Sequence, residues 1–124
     1  GFNGPVDRIL AQRRRTQPPP PHIVFEALVQ PHRDQSRPWL FLTVDEQDPE
    51  VVQAHQPDLV VWSSLWPSQP TATIRFEILP DGGSATSLTW MLSVDGPPPD
   101  DAIVHMRKRI NTLINGNLRS TFGQ

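Results

Sequence analysis

The sequence contains no cysteine at all. Disulfides, thiolate metal sites and cysteine nucleophiles are thereby excluded. It has no apolar run near the ~20 residues that span a bilayer, and its N-terminal stretch lacks a signal-type hydrophobic region. Together with the lack of cysteine, this fits a reducing compartment, and a cytoplasmic location is the expectation. Charge is also nearly balanced: 11 basic against 13 acidic residues leave a formal net charge of −2. General polyanion binding is not expected from such a balance, and nucleic acid is not an expected partner. The sequence begins with Gly1 rather than Met, and residues 1–5 are expected to lie outside the folded part.

What the chain has in abundance is proline, 15 of 124 residues, well above the usual ~5%. The prolines cluster at 18–21 and 97–99, and the rest fall between periodic segments rather than inside them. They therefore mark boundaries in a folded chain, with branched and aromatic residues between them. A chain of this length can bury roughly two-thirds of the surface its unfolded form exposes. One domain over residues 1–124 is expected.

Residues 8–16 read as a strand running into the proline block. HIVFEALVQ (22–30) carries Ile23, Val24, Ala27 and Leu28 at helical spacing, and Pro31 ends it. WLFLTV (39–44) reads as a strand, DEQDPE (45–50) as a solvated acidic turn, VVQAH (51–55) as a short strand and LVVWSSLW (59–66) as another. TATIRFEIL (71–79) alternates cleanly, with Ala72, Ile74, Phe76 and Ile78 on one face. Pro80-Asp81-Gly82-Gly83 supplies a turn, because glycine takes positive φ without penalty. SATSLTWMLSV then places Leu88, Trp90, Leu92 and Val94 on one face.

The closing segment reads as a long helix. Pro99 can stand at its start, and Asp100 and Asp101 favour the positive end of the dipole. Ile103, Met106, Ile110, Leu113 and Ile114 form one apolar stripe, with Asn117 and Thr121 near its centre and Arg107 at its edge. Asn115-Gly116-Asn117 permits two readings, a C-cap with left-handed Gly116 or a helix that continues through Leu118.

Catalytic and metal signatures are weak. The four histidines (22, 32, 55 and 105) have no paired spacing, so neither a metal nor any other cofactor is expected. DEQDPE lacks the ligand pattern of a calcium loop. Ser63-Ser64 lacks a nucleophile-elbow context. Arg13-Arg14-Arg15 and Arg107-Lys108-Arg109 are the two basic clusters, and neither makes a single stripe by itself. Trp62 and Trp66 lie on a segment apolar on both faces, which leaves packing or an exposed partner patch open.

The order of these segments resembles the START-like, or SRPBCC, superfamily. PPPPHIVFEALVQP resembles the opening of that group, and LVVWSSLWPSQPTATIRFEILPDGGSATSLTWML resembles its central signature. The stretch ahead of LVVW is compressed relative to the pattern. The resemblance implies an α+β helix-grip fold: a curved antiparallel sheet around a long C-terminal helix, with one or two short helices after the first strand. It also favours continuation of the helix through Asn117. A small hydrophobic or lipid-like ligand would lie between helix and sheet, lined by Phe76, Leu88, Trp90, Leu92, Met106, Arg107, Ile110, Leu113 and Asn117. Two other functions are implied. A polyketide cyclase or aromatase-like enzyme would rely on Arg107, Arg109 or His105, although the wheel turns His105 away from the stripe. A ligand-free interaction module of the chaperone-activator kind would expose a patch for a protein partner. Either a monomer or a homodimer is compatible with the sequence.

Overall fold

The computed structural model describes residues 8–96 and 98–122, so the expectation for residues 1–5 falls outside it. Strand β1 (Arg8–Gln17) leads to helix α1 (Pro21–Val29), followed by strands β2 (Val51–His55), β3 (Leu59–Trp62), β4 (Thr73–Asp81) and β5 (Ala85–Val94). Helix α2 (Asp100–Asn111) passes without a break into a π-helical segment, Thr112–Leu118, and a last turn, Arg119–Thr121. We refer to 100–121 as the final helix. The five strands form one antiparallel sheet in the order β1-β5-β4-β3-β2.

Alternation sets the sheet's buried face. On β5, Thr86, Leu88, Trp90, Leu92 and Val94 are buried while the residues between them are half-exposed. Ile74, Phe76 and Ile78 do the same on β4, and Val60 and Trp62 on β3. Register places Ile74 opposite Leu92, Phe76 opposite Trp90 and Ile78 opposite Leu88. The final helix contributes Met106, Ile110, Leu113, Ile114 and Leu118 to the same core. The β4–β5 turn has Gly82 at φ 73°, the left-handed conformation the Asp-Gly-Gly sequence was expected to supply. Pro21 opens α1, where a missing N–H costs nothing.

Continuation of the final helix through Asn117 is what the structure has, and it is accommodated by π geometry with Gly116 inside it. Other expectations need correction. WLFLTV forms no strand: Trp39 and Leu40 are anchors in the core, and residues 41–50 follow as irregular chain. Their backbone is satisfied piecemeal instead. Gln47 N–H donates to Leu65 O (2.7 Å), Ser63 N–H to Glu50 O (2.8 Å) and Glu50 N–H to Ser63 Oγ (2.8 Å). LVVWSSLW pairs only as far as Trp62, because Ser64 Oγ accepts from Trp66 N–H (2.9 Å) and donates to Gln69 O (2.7 Å), closing a turn. Both Trp62 and Trp66 are buried. Of the one or two short helices expected after the first strand, one, α1, is present among the described residues.

Candidate functional site

Helix α1 divides its residues between two neighbours. Val24, Phe25 and Leu28 face the core. Ile23, Glu26, Ala27 and Gln30 fall at i, i+3, i+4 and i+7, one face of a helix, and all four line an open groove of about 600 Å³. Of the residues whose spacing marked this helix, Val24 and Leu28 enter the core while Ile23 and Ala27 line the groove, Ala27 also packing against the core, and Phe25 joins the core.

The rest of the groove comes from Pro19, Pro31, Arg33, Asp34, Arg37 and Trp39, and from Thr121 and Phe122 at the end of the final helix. Trp39 is only 4% exposed. It stacks on Trp62 with ring centroids 6.1 Å apart, and Trp62 in turn meets Phe76 edge-on at 4.8 Å. The Trp62 indole N–H donates to Leu28 O at 2.9 Å. That carbonyl lies in the last turn of α1, where intrahelical partners run out. A column of aromatic rings thus connects groove, α1 and sheet.

The groove's polar groups are arranged unevenly. Arg33 lies 3.7 Å from Glu26, an exposed pair of little energetic weight. Asp34 is held below the usual carboxylate range, first by the Ser36 hydroxyl and then by backbone N–H groups and the Arg37 charge. Arg37 donates to Thr121 O at 3.1 Å, closing the groove between the 31–38 connector and the final helix. It has no carboxylate within ion-pair distance among the described residues.

The residues expected to bind a ligand lie elsewhere. Phe76, Leu88, Trp90, Leu92, Met106, Ile110 and Leu113 come together in the core, each at most 1% exposed. Asn117 is half-buried and Arg107 exposed. None of these nine lines the groove. The sequence signal for the groove was the polar–apolar mixture of Ile23, Glu26, Ala27 and Gln30 just before Pro31.

A second polar cluster holds the 41–50 segment against the final helix. Glu46, whose side chain is fully buried, receives Arg109 Nε (2.9 Å), Arg109 Nη2 (2.8 Å), Trp66 Nε1 (3.0 Å) and Thr43 N–H (2.9 Å). Burial pushes the Glu46 carboxyl up, but the Arg109 hydrogen bonds, the Thr43 N–H and the Arg109 charge together bring it below its ordinary value. Arg109 also donates to Phe41 O at 2.8 Å. DEQDPE is thus not wholly solvated, since Glu46 turns inward while Asp45 and Asp48 stay exposed. Asp45 pairs with His105 at 3.3 Å. Of the three residues an enzymatic reading would use, Arg109 and His105 are engaged in these contacts, and none lines the groove. No cluster of metal-ligating side chains occurs among the described residues, and no described helix is long and apolar enough to cross a membrane.

By sequence, the chain matches no protein-family profile and no curated protein. Solved structures do match it. CalU16 from Micromonospora echinospora aligns with a TM-score of 0.67 at 14% identity, over 90% of this chain and 74% of that one. An AHSA1-like protein from Rhizobium etli aligns with a TM-score of 0.67 at 13% identity, over 97% and 85%. An HSP90 activator from Plasmodium falciparum aligns at 0.58 with 16% identity, over 87% and 89%. At such identities the likeness is one of fold, and that fold is the helix-grip arrangement, a curved antiparallel sheet closed by a C-terminal helix, to which the sequence motifs pointed.

Proposed function

We propose that this chain is a binding protein for small amphipathic molecules, held in the groove between α1 and the end of the final helix. The observation that carries this reading is the groove's composition. Ile23, Ala27, Pro31, Trp39 and Phe122 offer apolar surface, and Arg37 offers a cation with no paired carboxylate among the described residues. Sites for small molecules commonly combine apolar walls with a few orienting polar groups, in volumes of about 300–1,000 Å³. A single-chain carboxylate suits this arrangement, its tail along α1 and its head at Arg37. The apolar residues under the final helix then belong to the closed core. Placing the ligand among them instead would require separating side chains that are already close-packed.

Ala27→Trp tests this placement. The indole would project from the groove face of α1 and occupy the tail's path. Calorimetric titration with dodecanoate is expected to show an affinity about tenfold weaker or worse, a loss of ~1.4 kcal/mol or more, with the thermal midpoint little changed. Unaltered affinity in a folded variant would remove the groove from consideration.

An interaction module is the second reading. Phe41 and Val44 are exposed on the segment that Asp45 ties to His105, and Val104, next to His105, is also exposed. One structural neighbour is described as an HSP90 activator. A protein partner seated on these residues would be indifferent to Ala27→Trp.

A further inference from the structure

Two basic clusters, far apart along the chain, meet at the open edge of the sheet. β5 pairs with one side of β1, and no described strand pairs with the other. Register sets Arg13 opposite Trp90 and Arg15 opposite Leu88, so both arginines stand on the sheet face that carries the final helix. Arg14, opposite Thr89, stands on the other face. On the final helix, Arg107, Asn111, Asn115 and Arg119 follow at steps of four and keep to one side. Their contacts show which side that is. Asn111 Oδ1 accepts from Trp90 Nε1 (3.3 Å), Asn115 Oδ1 accepts from Gln17 Nε2 (3.0 Å), and Arg119 Nε donates to Thr16 O (3.3 Å). This ridge runs beside β1, and Arg107, one turn before Asn111, stands toward Arg13, the register partner of Trp90.

Arg13, Arg14, Arg15 and Arg107 are exposed. Neither they nor Arg119 have a carboxylate within ion-pair distance among the described residues. Asp81 accepts from Thr16 Oγ1 (2.9 Å) near the end of the strand, on the outer face, and leaves the arginine stretch uncompensated. A long unpaired edge is a template for another strand. Pairing with a second copy centred on Arg14 would set Arg13 against Arg15 twice, and like charges directly opposed are destabilising. The same charges favour an acidic strand, because a guanidinium holds a carboxylate by two parallel bonds. Nucleic acid fits less well. The chain has no tyrosine, and the Trp90 indole at this seam is buried, so it offers no stacking face for a base.

We propose that the β1 edge takes an acidic polypeptide segment in extended form, added as a further strand, with its carboxylates at Arg13, Arg15 and Arg107. Main-chain hydrogen bonds supply the pairing, and the arginines select the partner. None of these residues lines the groove, so this surface stands or falls separately from amphiphile binding.

The probe is an end-blocked peptide of alternating Glu and Thr, about ten residues long, the upper end of ordinary strand length. NMR titration at low salt is expected to give saturable amide shifts along β1 and at Arg107. Arg13→Glu/Arg15→Glu, which changes exposed side chains only, should keep the amide spectrum of the fold and bind about tenfold more weakly or worse. Arg107→Glu, on the helix, should weaken binding in the same direction. A Glu/Pro peptide of equal charge, which cannot donate along a ladder, should bind more weakly than the Glu/Thr peptide. The proposal is overturned by the lack of a saturable response to Glu/Thr, or by undiminished affinity in Arg13→Glu/Arg15→Glu. Equal affinity for the Glu/Pro peptide overturns the added strand. Tighter binding of an oligo-dT strand or of phosphatidylserine vesicles than of the peptide overturns the choice of partner. Should a variant fail to fold, the wild-type shifts and the Glu/Pro comparison still decide.

Discussion

Arg109→Ala is expected to lower the free energy of unfolding at neutral pH by about 3–5 kcal/mol, the range for removing one partner of a buried ion pair. Most of that loss comes from what is left behind. The Glu46 side chain is fully buried and the Arg109 side chain 18% exposed, so water admitted on truncation only partly replaces the guanidinium. Glu46 would keep Trp66 Nε1 and Thr43 N–H but lose two charge-assisted bonds and its counter-charge.

The pH dependence follows from the same cluster. In the wild type the Glu46 carboxyl is held below its ordinary value, so its contribution is present above the unfolded value of about 4.3 and fades as pH falls through the folded one. In Arg109→Ala, burial acts without its main opponent, the folded value rises, and acid relieves the buried charge. The gap between variant and wild type should therefore be widest near pH 7 and narrow toward pH 4. Urea unfolding at both values measures it. A gap below about 1 kcal/mol, or one that widens in acid, would show that the cluster is not a buried clamp.

Trp62→Ala should cost about 3–5 kcal/mol, from the burial lost and the cavity left behind together. The indole is 1% exposed, lies between Trp39 and Phe76, and caps the Leu28 carbonyl at the end of α1. Trp62→Phe separates the two contributions. It keeps a ring in the column but leaves Leu28 O without its donor, for a loss of about 1–3 kcal/mol. Because Trp39 is part of the groove, Trp62→Ala should also weaken amphiphile binding. Denaturant titration and calorimetry on the pair check both effects, and equal losses in the two variants would contradict the role assigned to the rings.

The elements legible in the sequence were those fixed by local periodicity. The β4–β5 hairpin showed itself because each strand alternates strictly and Asp-Gly-Gly readily supplies the positive φ that the turn uses at Gly82. The final helix showed itself through its 103–114 stripe. WLFLTV deceived because an apolar run has no period of its own, and Trp39 and Leu40 enter the core from irregular chain. The groove was illegible for a different reason. Its residues come from the β1–α1 link, α1, the connector after it and positions 121–122, segments that only the fold brings together. Glu46 was hidden likewise: among acidic neighbours it resembles a solvated residue, and its partner Arg109 is 63 residues away.

Backbone amide shifts during titration with dodecanoate test the location of the binding site most directly. Saturable shifts are expected at Ile23, Ala27, Trp39 and Phe122, with Leu88, Trp90, Met106 and Leu113 nearly still. Shifts centred on those last four residues would contradict this placement, as would the lack of any saturable response.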